Sequence, residues 1–294
     1  MIIIGEKING SIPSVAHAIR TKNPRLIQDL AKKQAEAGAA FIDVCAAAPP
    51  ETELETLRWL ITAVQEAVDT PVAIDSPSAQ TCVDAMPFCA RPGLINSASM
   101  EIMEKMEIME KMETEEEKQA GEKNRKENKS MKKSKADLIF PKIAGTSWEC
   151  VALLCGNAAL PMTAEKRLEI FDALMKKAAA YRVDPARIHI DPMVPALYTA
   201  EDGITPVLET MREIKRRCPE VRLTGGASNS SFNLPARRYI NQGFILLAMG
   251  AGMDSAILDP LHKDTAGLIS AAEALLGRDE LCMGYIGAYR AGRF

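Results

Sequence analysis

No Cys-x-x-Cys pair occurs in this 294-residue chain, and its three histidines, His17, His189 and His262, are far apart and outside zinc-ligand spacing. A protein-held metal is therefore not expected. The seven cysteines (Cys45, Cys82, Cys89, Cys150, Cys155, Cys218, Cys282) are odd in number and scattered. That argues for reduced thiols in a cytoplasm and against a disulfide framework. No apolar run approaches the roughly 20 residues that cross a bilayer. The start, Met1-Ile2-Ile3-Ile4-Gly5-Glu6, lacks the charged head and apolar stretch of a signal peptide and reads as a first strand. A net charge of −3 gives no electrostatic reason to expect nucleic acid or membrane as partner. Nucleophile signatures are missing as well: no Gly-x-Ser-x-Gly elbow, no Ser-His-Asp order, no strand-end lysine placed for a Schiff base, no Walker phosphate loop. The chain reads as one that holds and polarises a ligand without attacking it.

What is present is an apolar fraction of 47%, enough for a sizeable core, and a regular alternation of strand and helix patterns. Strand candidates are Ile2–Gly5, Phe41–Val44, Val72–Asp75, Gly93–Asn96, Cys150–Cys155, Ile188–Asp191, Arg222–Gly225 and Asp254–Leu258. Amphipathic stretches lie between them, among them Pro24–Ala37, Leu54–Ala67, Ala164–Tyr181, Ile204–Arg217, Pro235–Met249 and Ala266–Leu276. Eight strands with helices between them predict a (β/α)8 barrel, one domain over residues 1–294. A doubly wound sheet would carry a Gly-rich turn after the first strand, and Gly5-Glu6-Lys7-Ile8-Asn9-Gly10 lacks the G-x-G-x-x-G spacing. Residues 101–135 break the pattern with a tandem Glu-Ile-Met-Glu-Lys-Met and an acidic half followed by a basic one. They read as a charged, low-complexity insertion, an exposed extension of the fourth barrel helix followed by a loop.

Several strand candidates end in a carboxylate or carboxamide: Asp75, Asn96, Asp191 and, past two glycines, Asn229. Polar residues at the C-terminal ends of several parallel strands are the layout of a barrel's active mouth. A carboxylate accepts a forked pair of N–H bonds, and an amide both donates and accepts. The set suits a flat, nitrogen-rich ring such as the 2-amino-4-oxo edge of a pterin. Asp75 before Ser76-Pro77, taken alone, also reads as a helix cap. Gly226 lets a flat ligand approach the backbone, Ser228 sits between it and Asn229, and Arg237 begins the next helix, placed for an acidic tail or a neighbouring carboxylate. Glu6 and Asp43 end the first two strand runs and face the same mouth. His189, inside a strand, is read as a packing residue, and Asp254 is given no role.

These motifs resemble the pterin-binding methyltransferases, in particular the methyltetrahydrofolate:corrinoid group. The carriers are Ile4-Gly5-Glu6-Lys7-Ile8-Asn9-Gly10, Gly38-Ala39-Ala40-Phe41-Ile42-Asp43-Val44, Ala73-Ile74-Asp75-Ser76, Leu94-Ile95-Asn96-Ser97, Ile190-Asp191-Pro192, and Gly226-Ala227-Ser228-Asn229 through Arg237. The resemblance implies a (β/α)8 barrel, a homodimer, a pterin ring held by Asp75, Asn96 and Asp191, a pocket lined by Gly226, Ser228 and Arg237, and Asn229 at N5. It implies methyl transfer between N5 of tetrahydrofolate, or 5-methyltetrahydrofolate, and cobalamin. The cobalamin would come from a partner corrinoid protein, since no Asp-x-His-x-x-Gly segment is present. Relatives that demethylate methylamine-type compounds run the reaction from methylcorrinoid to tetrahydrofolate. Two departures stand out: Cys45 replaces an asparagine, and Phe232 replaces a polar residue three positions after Asn229. A dihydropteroate synthase is the nearest alternative, but Ser228-Asn229-Ser230-Ser231 stands where its Ser-Arg-Lys-like segment would be. A non-catalytic pterin carrier or scaffold is the alternative of a different class.

Overall fold

The structure is a computed structural model that describes residues 1–103, 133–157 and 159–294. Eight parallel strands run β1 (Ile2–Asn9), β2 (Phe41–Cys45), β3 (Val72–Asp75), β4 (Leu94–Ser99), β5 (Glu149–Leu153), β6 (Ile188–Asp191), β7 (Arg222–Leu223) and β8 (Ser255–Leu258). Each pairs with the next, β8 pairs back onto β1, and a bridge between Gly226 and Ile257 spans the β7/β8 seam. The result is the (β/α)8 barrel the alternation predicts. Continuous apolar runs form these strands because both faces are covered. Inside, Ile4, Phe41, Ala73, Leu94 and Val151 pack as one buried layer. Outside, Ile42, Ile74, Ile95, Cys150 and Ile188 face the helices in a single larger core.

Sequence and structure part company mainly at the ends of elements. The first strand extends to Asn9 through a register shift between Gly5 and Ile8, so Glu6 lies within it. Gly10 then crosses under the end of β2, donating to the Cys45 carbonyl at 2.9 Å. A Cβ at Gly10 would lie 2.1 Å from the Ala46 carbonyl oxygen, which is why glycine stands there. The seventh strand is shorter than its apolar run, because the chain turns away after Leu223. Residues 104–132 of the charged insertion lie outside the described residues. The reading of that segment as an extension of the fourth barrel helix followed by a loop therefore lies outside the described residues too. Where the described chain resumes after β4, it forms the helix Lys135–Ile143, begun by a capping box between Ser134 and Asp137. The insertion's two ends are held together: Ile102 bridges Ser134 antiparallel, and Lys135 pairs with Glu101 at 2.6 Å.

Asp254 closes the barrel. One carboxylate oxygen accepts from the Leu223 amide at 2.7 Å, and the other meets Lys215 Nζ at 2.6 Å. The side chain thereby does at the short seventh strand what a ladder bond does elsewhere. At the same end His189, fully buried, bridges Glu149 (2.6 Å) and Ser255 (2.8 Å), a packing and bonding role as expected. Asp254→Ala leaves a strand amide without its acceptor. It is expected to lower stability by about 1–3 kcal/mol, while Asp254→Asn, which keeps an acceptor, loses less; urea denaturation of both variants checks this.

Candidate active site

The polar residues singled out in the sequence gather at the C-terminal end of the barrel because strand register puts them there. Cys45, Asp75 and Asn96 stand side by side on β2, β3 and β4. Asp191 ends β6 opposite Leu153. Asp43 lies one pleat deeper than Cys45 and is 3% exposed, and Asn96 Nδ2 donates to its Oδ1 at 3.4 Å. Glu6, on β1, completes the arc. Its neighbours are Asp259 and Arg237, and Lys7 beside it pairs with Asp259 at 3.0 Å. Asp75 does not cap a helix: Ser78 caps Ala79–Ala85, and Ser76 donates to buried Glu53 at 2.8 Å.

Burial sets the electrostatics. Every one of these acids sits above its ordinary range, and loss of water is the first cause in each case. Asp43 is raised well above it by burial and then by the charge of Asp75, against the opposing Asn96 hydrogen bond. Burial raises Asp75, with Glu53 adding to it and a hydrogen bond from the Cys45 thiol opposing. Glu6 is raised by burial and by Asp259. Asp191 is pushed up to about 6 by burial, against the Met193 amide and the charge of Arg167. The Cys45 and Cys155 thiols are also driven upward by burial, so neither is a ready nucleophile.

The β7 side is built differently. After Gly225-Gly226, residues Ala227–Ser230 form one short helical turn that presents Ser228 and Asn229 to solvent. The Asn229 amide lies over Gly226, where a Cβ would come within 3.3 Å of Nδ2. Arg237 bonds Ser231 Oγ at 2.9 Å and the Ser228 carbonyl at 2.8 Å, so it braces the turn that carries Asn229. A cleft of about 190 Å³ opens here, lined by Glu6, Ser228, Asn241, Asp259 and His262 among others. A larger concavity of about 720 Å³ lies at the opposite end, among Lys215, Arg222, Asp254, Glu273 and Arg278. Its charges are largely paired with one another and close the barrel floor, so the mouth is the better candidate. Among the described residues no cluster of three or more His, Cys, Asp or Glu is arranged to hold a metal ion.

The pterin-binding enzyme family profile matches residues 5–259. The chain belongs to the pterin-binding enzymes. It is 42% identical to the methylcorrinoid:tetrahydrofolate methyltransferase of Eubacterium limosum, over all of this chain and 97% of that protein. It is 25% identical to the methionine synthase of Mycobacterium tuberculosis over 88% of its own length, where it spans about a fifth (20%) of the larger protein. Among solved structures it superposes on dihydropteroate synthase from Clostridium difficile with a TM-score of 0.64 at 15% identity, covering 94% of this chain and 96% of that one. The synthase from Yersinia pestis gives 0.61 at 14% identity, covering 94% and 93%. At such identities the last two speak for the fold alone.

Within this pterin-binding enzyme the two departures fall on the mouth. Cys45 stands beside Asp75 and supplies a weak S–H donor where an amide would donate and accept. Phe232 is 52% exposed on the β7 loop. Sequence reasoning gave no role to Lys7 and Asp259, whose pairing depends on barrel closure, or to Glu53, which reaches the site through Ser76 and Asp75, and it missed Arg167. That residue had a signal: it shares the stripe Arg167, Phe171, Leu174, Ala178 that faces the core.

An acid raised on folding binds more protons in the folded than in the unfolded chain, so its contribution to stability falls as pH rises above the unfolded value near 3.8. Asp43→Asn removes that burden and relieves Asp75 and Glu6. The variant is expected to melt about 3–6 °C higher than wild type at pH 8, with the gain shrinking toward pH 5; calorimetry at both pH values checks it.

Proposed function

We propose that the chain is a corrinoid-dependent tetrahydrofolate methyltransferase, moving a methyl group between the cobalamin of a corrinoid protein and N5 of tetrahydrofolate, in the direction from methylcorrinoid to folate. The observation that carries this reading is the strand register that lines Asp75 beside Asn96 and brings Asp191 to the same rim, in a barrel whose full-length relative bears that activity in its name. Asp75, Asn96 and Asp191 take the N–H donors and mixed edge of the pterin. Asp43 and Glu6 stand behind them, and Gly226, Ser228 and Arg237 form the wall on the β7 side. Residues 1–294 act as one barrel with an insertion on the β4 loop.

Toward folate, the N5 lone pair attacks the methyl carbon. The cobalt–carbon bond breaks with its electron pair left on cobalt, so methyl-Co(III) becomes Co(I), and the methylated, cationic N5 gives up its proton to solvent water. Asn229 is the catalytic residue. Its amide accepts from a protonated N5 and donates to a neutral one, so it follows the changing charge in either direction. Such a contact is worth roughly 2–4 kcal/mol at the transition state. Bringing N5 and the methyl into line does the rest. A dihydropteroate synthase reading has only the shared fold in its favour, since no arginine or lysine stands in Ser228-Asn229-Ser230-Ser231.

The surface supports the two partners. Ile102, Met162, Tyr198 and Phe232, one on each loop after β4, β5, β6 and β7, are between 37% and 57% exposed. They form an apolar half-rim where the corrinoid protein would seat. A second apolar surface covers the C-terminal helices, where Leu247, Leu275, Leu281 and Tyr289 are 56–87% exposed. This face suits a homodimer. No helix among the described residues is long and apolar enough to cross a membrane, and all seven cysteines are free, in keeping with a cytoplasmic enzyme.

The test is anaerobic mixing with tetrahydrofolate and a methylated corrinoid, followed by the visible spectrum of Co(I). Absence of any change in either direction would sink the assignment. Asn229→Ala is expected to slow transfer by about 100-fold or more while folate affinity stays within a few-fold. Phe232→Asp is expected to raise the KM for the corrinoid protein and leave transfer from free methylcobalamin nearly unchanged.

A further inference from the structure

We infer that Arg167, on the helix after β5, is a positioning residue that holds Asp191 ionised and aimed for the pterin. This inference rests on the reading that Asp191 grips the ring. Arg167 is 1% exposed, at the head of helix Ala164–Tyr181, on that helix's buried stripe. Its Nε donates to the Pro192 carbonyl at 2.7 Å, and Nη2 to the Met193 carbonyl at 3.3 Å. Those carbonyls belong to the turn that follows Asp191.

That turn needs holding. Met193 sits at a φ of +63°, in the left-handed region that a methionine rarely adopts. Its amide donates back to Asp191 Oδ1 at 2.8 Å. The pair of bonds from Arg167 fixes the two carbonyls, the turn fixes one carboxylate oxygen, and Oδ2 is left without a protein donor for the ligand's N–H. The guanidinium also supplies charge. Among the described residues, Arg167 is the cation that bears on Asp191, and the Cys155 thiol on the neighbouring loop is held neutral by burial. A protonated acid cannot accept a forked pair of N–H bonds; the Met193 amide and then the Arg167 charge oppose the protonation that burial favours, and Arg167 acts through both, since it also braces the turn that carries that amide. The remaining nitrogen, Nη1, is buried without a partner.

The test is folate affinity as a function of pH, measured by direct titration with tetrahydrofolate under anaerobic conditions. In wild type the affinity is expected to fall on the acid side with a midpoint near 6, where Asp191 takes up its proton. Arg167→Gln should weaken binding at pH 7 by about tenfold and move that midpoint up by about one pH unit, with kcat at saturating folate within about threefold of wild type. The ligand's own titration is common to both proteins and cancels in the comparison. Arg167→Lys keeps a charge but cannot bond both carbonyls, so it is expected in between, and it carries the test if the neutral variant does not fold. An unmoved midpoint in Arg167→Gln, or wild-type affinity and midpoint in Arg167→Lys, would overturn the inference. Asp191→Asn separates this from the underlying reading: undiminished folate binding there means that Asp191 does not hold the ring at all.

Discussion

Carboxylates crowded into a low-dielectric barrel mouth are the constraint around which this protein is built. Asp43, Asp75, Asp191 and Glu6 are each drawn out of water, and each rises as a consequence. An isolated ion in such a place is costly unless hydrogen bonds compensate it. The cations nearby are few and specific: Arg167 at Asp191, and Lys7 and Arg237 near Glu6. What the protein withholds is donors. Asn96 gives one to Asp43, the Cys45 thiol one to Asp75 and the Met193 amide one to Asp191, and most of the accepting capacity is left over. On the proposed reading, a flat ring edged with N–H groups restores what burial removed, so the affinity for it and the cost of burying these acids have one origin. This is the stability–function trade-off that strained sites commonly show.

The scaffold makes that arrangement durable by placing its own bonds elsewhere. Strand register sets Asp75 against Asn96 without any side-chain contact being needed. The weak point of the barrel is β7, where two residues make the ladder. There Asp254, Lys215 and the His189–Ser255 pair take over at the floor. The floor thus consumes its charges in structural pairs, whereas the buried acids of the mouth are compensated in part, and each stays above its ordinary range. That asymmetry separates the two concavities better than their volumes do, for the larger one belongs to the floor.

Much of this was legible in the chain because a buried parallel strand and its polar terminus leave a contiguous mark. Val72–Asp75 and Ile188–Asp191 are strands with the bounds their residues predict. Other features depend on neighbours far away in sequence. Lys7 meets Asp259 because β1 and β8 close the ring, and no local pattern announces that pairing. The first strand runs on to Asn9, past the end of its apolar run at Gly5, because a register shift lets the ladder resume at Ile8. The pairing of Ile102 with Ser134, more than thirty positions apart across the charged segment, likewise has no local mark in the sequence. Arg167 was visible as a charge on an apolar stripe, yet what it braces became apparent once the turn at Met193 was in place.

Burial across the mouth also carries direction. Asp43, a pleat below Asp75, and Asp191 at the rim are nearly fully enclosed, Asp75 and Asn96 are half-buried, and Ser228 and Asn229 stand in solvent on the opposite wall. On the proposed reading, a ring gripped by Asp75, Asn96 and Asp191 puts its pyrimidine edge inward and its reducible ring outward, so N5 lies at the level of Asn229. The exposed asparagine is then no defect of an open site. A residue that must serve a nitrogen before and after methylation, while a bulky partner approaches over Tyr198 and Phe232, has to stand at the surface. The deep acids need the reverse, since their hold on N–H donors strengthens as water is excluded. The same gradient explains why Arg237 is spent on Ser228 and Ser231. Ala227 and Ser230 anchor the turn from below, and on its exposed side those bonds hold the backbone that carries Asn229.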